Sequence, residues 1–421
     1  MERLALARLV AGVLCRFARV TPTASAMIAG AMWSRFIHWI RRPGVRTPLL
    51  VAAGSRLAVF LVASLALQLL GPVDAPRFLL HGGQPHPSQM VDLFQRWDSY
   101  WFLNIARHGY RYQGVQEQIG DVVVTAEETN ITPLPLYPLL IRAGTRLVAD
   151  PSLAGLLIAL LCYCAAVVLL YRRVAATDND ETARRAILYL SLYPTGFIYN
   201  SIYSESLFLL LVLLCLHAAE HGRALRAGLS GAAASLTRLS GATLALCVFV
   251  ELALGAERER RPRGVALGVA AAAMISAGWL GYFAYLRRLT GRFWIYFDAQ
   301  QGWHKELVFP WTALGRAILG EGSPDQHLLN IAAVALFLPL CVLAARRVRW
   351  GQTIYLWLGV LVPLCSSYLL GLPRYLMVLF PAFVLLARWG RALAVHIAIL
   401  VGFCLVHGMV LTAWLRWQYS L

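Results

Sequence analysis

The feature that most constrains this chain is its hydropathy pattern. From residue 49 onward, apolar runs of about 16 to 25 residues alternate with short polar loops, and a helix needs about 20 such residues to cross a bilayer. The hydrocarbon core offers no water to satisfy backbone N–H and C=O groups, so runs of this length fold as helices. Hydrophobic residues make up 59% of the chain and charged residues 14%, whereas an ordinary soluble chain carries roughly 25% charge. The pattern predicts one all-α integral membrane unit, not a string of soluble domains.

The net charge is +17, nearly all from arginine, with Lys305 the single lysine. Such a balance suits nucleic acid in a soluble protein. Here the arginines gather in short loops between apolar runs, such as "YRRVAATDNDETARR" and "GAERERRPRG", which is the positive-inside pattern. No nucleic-acid partner is expected. Heavy Ala, Leu, Arg and Gly usage points to a GC-rich bacterial genome and hence to a multi-pass protein of the bacterial plasma (inner) membrane. The eight cysteines are scattered without metal-ligand spacing and read as small core hydrophobes. Residues 1–48 form an apolar, arginine-punctuated arm without a clear cleavable signal, expected to lie amphipathically on the cytoplasmic face.

Arginine placement also decides the topology. If 133–149 were a full span, both arginine-rich loops would fall outside. Taking it as a surface helix on the outer side puts both of them in the cytoplasm. Spans are then expected at 49–70, 152–171, 185–200, 202–219, 264–286, 326–345, 352–370, 373–387 and 392–415. Residues 227–254 are too few for two full spans and predict a pair of short helices broken near "LTRLSG", as happens where backbone lines a cavity. The count is about eleven spans, with the N-terminus inside and the C-terminus outside. Residues 49–421 are expected to form one membrane domain, with outer loops at 71–151 and 287–325.

Four constellations carry chemistry. In "FQRWDSYWFLNIARHGY", Asp98 precedes a predicted helix over 99–108 that Gly109 would stop. Asp98 is either that helix's N-cap, worth about 1 kcal/mol, or a general base in an aromatic setting. Trp97 and Trp101 suit a sugar platform or an interfacial belt. Glu205, in "LYPTGFIYNSIYSESLF", lies near the outer surface as a second carboxylate or as a solvated turn residue. Arg238, at the break in "SLTRLSG", and Arg374, in "GLPRYLMVLFP", with Tyr375 beside it, are placed to fork onto one phosphate; snorkelling is the competing reading for Arg238.

Together these stretches resemble the PIG-V family of GT-C glycosyltransferases, whose eukaryotic member adds the second mannose of the GPI anchor. The likeness rests on "RWDSYWFLNIARHGY", "ITPLPLYPLLIR", "YPTGFIYNSIYSESLF", "SLTRLSG", "FDAQQGWHKE" and "LPRYLMVLFPAF", in the family's order across residues 94 to 384. It implies a GT-C fold with outer-face juxtamembrane helices, a polyprenyl-phosphate donor carrying mannose, and inversion at the anomeric carbon. It casts Asp98 as the base, Glu205 as a second acidic site residue, Arg238, Arg374 and Tyr375 as donor-phosphate ligands, and Gln300, Trp303 and His304 as substrate-binding residues. It calls for no nucleotide, metal or other cofactor. The partners expected are the lipid-linked donor, membrane lipids, and a glycolipid, glycan or protein acceptor; an accessory membrane subunit is left open. The competing readings are the same chemistry with another sugar, a lipid or polysaccharide transporter without catalysis, and a scaffold that has lost activity.

Overall fold

The structure, a computed structural model, describes residues 42–71, 73–74, 85–111, 116–119, 122–125, 129–258, 263–301, 307–320, 324–367 and 369–418. Most of the N-terminal arm therefore lies outside the described residues, as do Trp303 and His304.

In chain order the helices are α1 (Pro43–Leu70), α2 (Gln89–Asp92), α3 (Ser99–His108), α4 (Leu136–Val148), α5 (Pro151–Thr177), α6 (Asp180–Leu192), α7 (Glu205–Glu220), α8 (Ala224–Ser235), α9 (Leu244–Arg258), α10 (Gly264–Thr290), α11 (Ile295–Gln301), α12 (Pro310–Leu319), α13 (Pro324–Arg347), α14 (Trp350–Leu364), α15 (Leu372–Leu376), α16 (Phe380–Trp389) and α17 (Leu393–Leu415). Short 3-10 turns occupy Thr129–Ile131, Gly196–Asn200 and Leu239–Thr243. Among the described residues the fold is all-α as expected, apart from one short antiparallel hairpin, β1 (Gln116–Ile119) and β2 (Val122–Thr125), in which Gln116 stands opposite Thr125. The hairpin lies in the polar stretch after α3, where no apolar run demands a helix.

Among the described residues, five helices are long and apolar enough to cross a membrane: Pro43–Leu70, Pro151–Thr177, Gly264–Thr290, His327–Arg347 and Leu393–Leu415. The other expected spans are shorter or interrupted. The segment expected to cross at 185–200 is α6 plus a 3-10 turn, and that at 373–387 is split into α15 and α16. The expected pair at 227–254 is α8 and α9, separated by the turn at 239–243. Helix α4 is amphipathic: Tyr137, Pro138 and Ile141 are buried, while Arg142 and Arg146 are exposed.

Local signals explain the boundaries. Asp150 accepts from the Leu153 N–H and Pro151 occupies the first turn of α5; Asn179 accepts from the Thr182 N–H at the start of α6. Gly109 (φ 79°) ends α3 by returning its N–H to the Ile105 carbonyl at 2.8 Å. Arg142 of α4 donates to the Ala106 and Ile105 carbonyls at 2.7 and 3.0 Å, which docks α4 on α3.

The helix breaks are satisfied from within the core, as backbone at membrane depth requires. Tyr199 donates to the Met377 carbonyl at 2.9 Å and Tyr355 to the Val378 carbonyl at 3.1 Å, closing the break between α15 and α16. Arg56, inside α1 and 8% exposed, donates to the Ser191 carbonyl at 2.9 Å and the Gly196 carbonyl at 2.7 Å, and its guanidinium lies 4.5 Å from the Tyr163 ring centroid. A cation inside an apolar helix here serves the carbonyls left over where α6 stops.

Candidate active site

Four helix breaks or starts meet at one end of the bundle, and each delivers one charged side chain. Asp98 comes from the turn before α3, Glu205 from the first residue of α7, Arg238 from the break after α8, and Arg374 from α15. The backbone at these points is built for close approach. A Cβ on Gly241 would meet the Ala234 backbone at 2.6 Å, so the turn after Arg238 needs glycine. Gly371 sits at φ 69° and accepts from the N–H of Arg374 at 2.9 Å.

The four side chains form an alternating chain of charge. Arg374 donates to Asp98 at 2.5 Å, and its Nε lies 3.4 Å from Oε1 of Glu205. Glu205 Oε1 in turn pairs with Arg238, which also reaches the Ser204 hydroxyl at 3.5 Å. Tyr375 lies against both cations, its ring centroid 5.1 Å from the Arg238 guanidinium and 5.4 Å from that of Arg374; the Tyr203 ring is 5.3 Å from Arg374. The Tyr203 hydroxyl also accepts the Asp98 N–H at 3.3 Å.

Burial separates the two carboxylates. Glu205 is fully buried, with Oε2 unpartnered among the described residues, whereas the Asp98 side chain is 32% exposed. Asp98 is therefore the most exposed of the four, and Glu205 lies sealed between the two arginines. The capping reading of Asp98 is not what the geometry shows: it occupies the N-cap position of α3 but makes no side-chain cap bond, and its carboxylate goes to Arg374 instead. Arg238 also borders a small, largely apolar cavity of about 30 Å³, shared with Phe208, Tyr355, Gly359 and Tyr375.

Trp97 sits at φ 48°, a left-handed conformation that is rare for a bulky residue and costs about 1–3 kcal/mol. Its indole N–H and that of Trp101 are buried without a hydrogen-bond partner among the described residues. Gln300 lies in α11 together with the buried Tyr296. Among the described residues, no group of three or more His, Cys, Asp or Glu side chains is placed to hold a metal ion. Sequence reasoning passed over Arg56 and Tyr203. The signal for Arg56 was an arginine in the middle of the first apolar run; for Tyr203 it was only proximity to Glu205.

A family model described as "Mannosyltransferase (PIG-V)" matches residues 71–281. No curated protein matches the chain. Among solved structures, ArnT from Cupriavidus metallidurans bound to undecaprenyl phosphate is similar at 14% identity and a TM-score of 0.47, over 88% of this chain and 76% of that one. The Archaeoglobus fulgidus oligosaccharyltransferase in complex with Zn and sulfate is similar at 11% identity and a TM-score of 0.41, over 87% of this chain and 53% of that one. Archaeal oligosaccharyltransferase AglB from the same organism, in complex with an inhibitory peptide and a dolichol-phosphate, is similar at 11% identity and a TM-score of 0.37, over 87% and 56%.

Proposed function

The chain belongs to the mannosyltransferase (PIG-V) family, whose model covers half of it, and from that premise we propose that this membrane glycosyltransferase moves mannose from a polyprenyl-phosphate donor to an acceptor hydroxyl outside the cytoplasm, with Asp98 as the base. The observation that carries the reading is the Asp98–Arg374–Glu205–Arg238 chain, in which one carboxylate is accessible and the other is buried between two cations.

In the proposed reaction the acceptor hydroxyl gives its proton to Asp98 as its oxygen attacks the anomeric carbon. A bond forms from that oxygen to the carbon while the bond from the carbon to the phosphate oxygen breaks on the opposite face. The electron pair leaves with the polyprenyl phosphate, and the configuration inverts. Arg238 and Arg374 receive the charge that grows on the leaving phosphate; preorganised cations in a dry site do this without reorganisation. Glu205 keeps both guanidinium groups aimed at one place before the donor arrives. Gln300, with Trp303 and His304 beyond it in sequence, belongs to the substrate region in this reading. No metal or other cofactor is assigned a role; the two arginines suffice for a monophosphate leaving group.

The deciding experiment is a transfer assay with radiolabelled polyprenyl-phosphate mannose, the matching glucose and aminopentose donors, and a membrane-lipid extract as acceptor. The reading expects mannose to be transferred with release of polyprenyl phosphate. Transfer of another sugar in its place selects the runner-up, and no transfer from any donor rejects the activity. The sidedness is checked separately: a cysteine at Ala176 should be labelled only from the cytoplasm and one at Gln118 only from outside.

A further inference from the structure

Helix α17 ends in a turn that reaches back over the residues preceding Asp98. Trp417 in that turn is held at φ 60°, so two tryptophans in left-handed backbone, Trp97 and Trp417, meet in space. Their rings pack edge to face at 5.3 Å, and Trp417 also lies 6.1 Å from the Tyr100 ring. The guanidinium of Arg96 covers the Trp417 ring at 4.9 Å, and its Nε donates to the Leu415 carbonyl at 3.3 Å. The turn is tied down a second time at the end of α1: Arg416 donates to the Leu70 carbonyl at 2.8 Å and Trp417 Nε1 to the Val73 carbonyl at 3.2 Å.

A non-glycine residue stays in left-handed backbone only where its surroundings over-determine it. Trp97 immediately precedes Asp98, so its φ sets the direction in which the Asp98 backbone leaves the turn toward Arg374. The groups that hold Trp97 in place come from 320 residues away in sequence, on the last helix. We propose that Trp417, braced by Arg96, is a positioning residue that fixes the Trp97 kink and thereby holds the Asp98 carboxylate where it acts. This rests on Asp98 being the base.

The test compares Trp417→Ala and Trp417→Phe in the full-length protein, using polyprenyl-phosphate mannose and a membrane-lipid extract. Loss of the ring should lower kcat at least about 10-fold and leave the donor KM within about 2-fold, because a misplaced base costs rate without costing binding. Phenylalanine keeps an edge-to-face partner and should hold kcat within about 3-fold of wild type. In an Asp98→Asn background, Trp417→Ala should add less than about 2-fold, since the group it positions is already disabled. Should Trp417→Ala fail to fold, Trp417→Leu keeps apolar volume without a ring and gives the same contrast. Normal kcat in the ring-less variant, with Asp98→Asn slow, overturns the positioning role alone. So does a full additive loss in the Asp98→Asn background. Normal turnover in Asp98→Asn itself overturns the base and, with it, this role.

Discussion

Helix α7 carries a glutamate at each end, Glu205 and Glu220, and the two are buried in opposite ways. Their Cα atoms stand roughly 22 Å apart along the helix axis. Glu220 is held by Arg173 through both oxygens at 2.9 Å, and Gln352 adds a third bond at 2.7 Å. Nearby on the same end of the bundle, Arg388 grips Asp178 through both of its oxygens at 2.9 Å, and Glu251 takes Arg349 and the Gly351 N–H. These carboxylates use both oxygens. At the other end, Glu205 leaves one oxygen without a partner, shares the other between two arginines, and sits beside an aspartate that solvent can reach. A carboxylate with both oxygens engaged serves as a strut; a chain of charge left partly open, at the meeting point of four helix breaks, is the arrangement the proposed donor site requires. The cost of leaving it open is borne by the rest of the fold.

The sharpest way to break this comparison is Asp98→Asn, which keeps shape and capping capacity but takes no proton. Transfer should fall at least about 100-fold in a variant that still folds and inserts, because general-base assistance is typically worth about 10²–10⁴-fold. Near-normal turnover would make the open end a strut as well. Arg238→Ala and Arg374→Ala each remove a cation from the proposed phosphate site. Each should weaken apparent donor affinity by about 10- to 100-fold, the range for a hydrogen bond to a charged group. Unchanged donor affinity in folded variants would put the phosphate elsewhere.

The opposite end should respond in stability and not in chemistry. Glu220→Ala strands a guanidinium that is 10% exposed, and breaking such a pair typically costs about 3–5 kcal/mol. Thermal melting should register that loss, while kcat per folded molecule stays within about 2-fold of wild type. A large fall in kcat at unchanged melting temperature would erase the distinction between the ends. The smallest effect concerns pH. Burial works to raise the Asp178 carboxyl, but the hydrogen bonds and charge of Arg388 overcome it and hold its pKa below the usual carboxylate value. A carboxyl lowered on folding stabilises the fold above its unfolded pKa and loses that contribution as pH falls through the folded one. The destabilisation caused by Asp178→Asn should therefore be full at neutral pH and vanish on acidification below the carboxylate range. A difference from wild type that persists in acid would assign Asp178 a role other than this ion pair.

Residue pattern alone establishes the membrane class, the helical content, the amphipathic helix after 133 and the broken pair around Arg238. Each of these follows from hydropathy runs, arginine placement and the length of a bilayer span, which are local quantities. It also singled out Asp98, Glu205, Arg238 and Arg374, because charged residues in apolar surroundings are conspicuous one at a time. What it left open was how they pair. That Asp98 reaches Arg374 instead of capping α3, that Glu205 lies sealed between two cations, that Arg56 closes α6 and that Trp417 meets Trp97 were all decided by contacts between segments 33 to 320 residues apart in sequence. Hydropathy carries no information about such pairs. Which charge meets which is settled only when the helix breaks are packed against one another, because a side chain at a break takes its direction from the neighbouring helices and not from its own residue type.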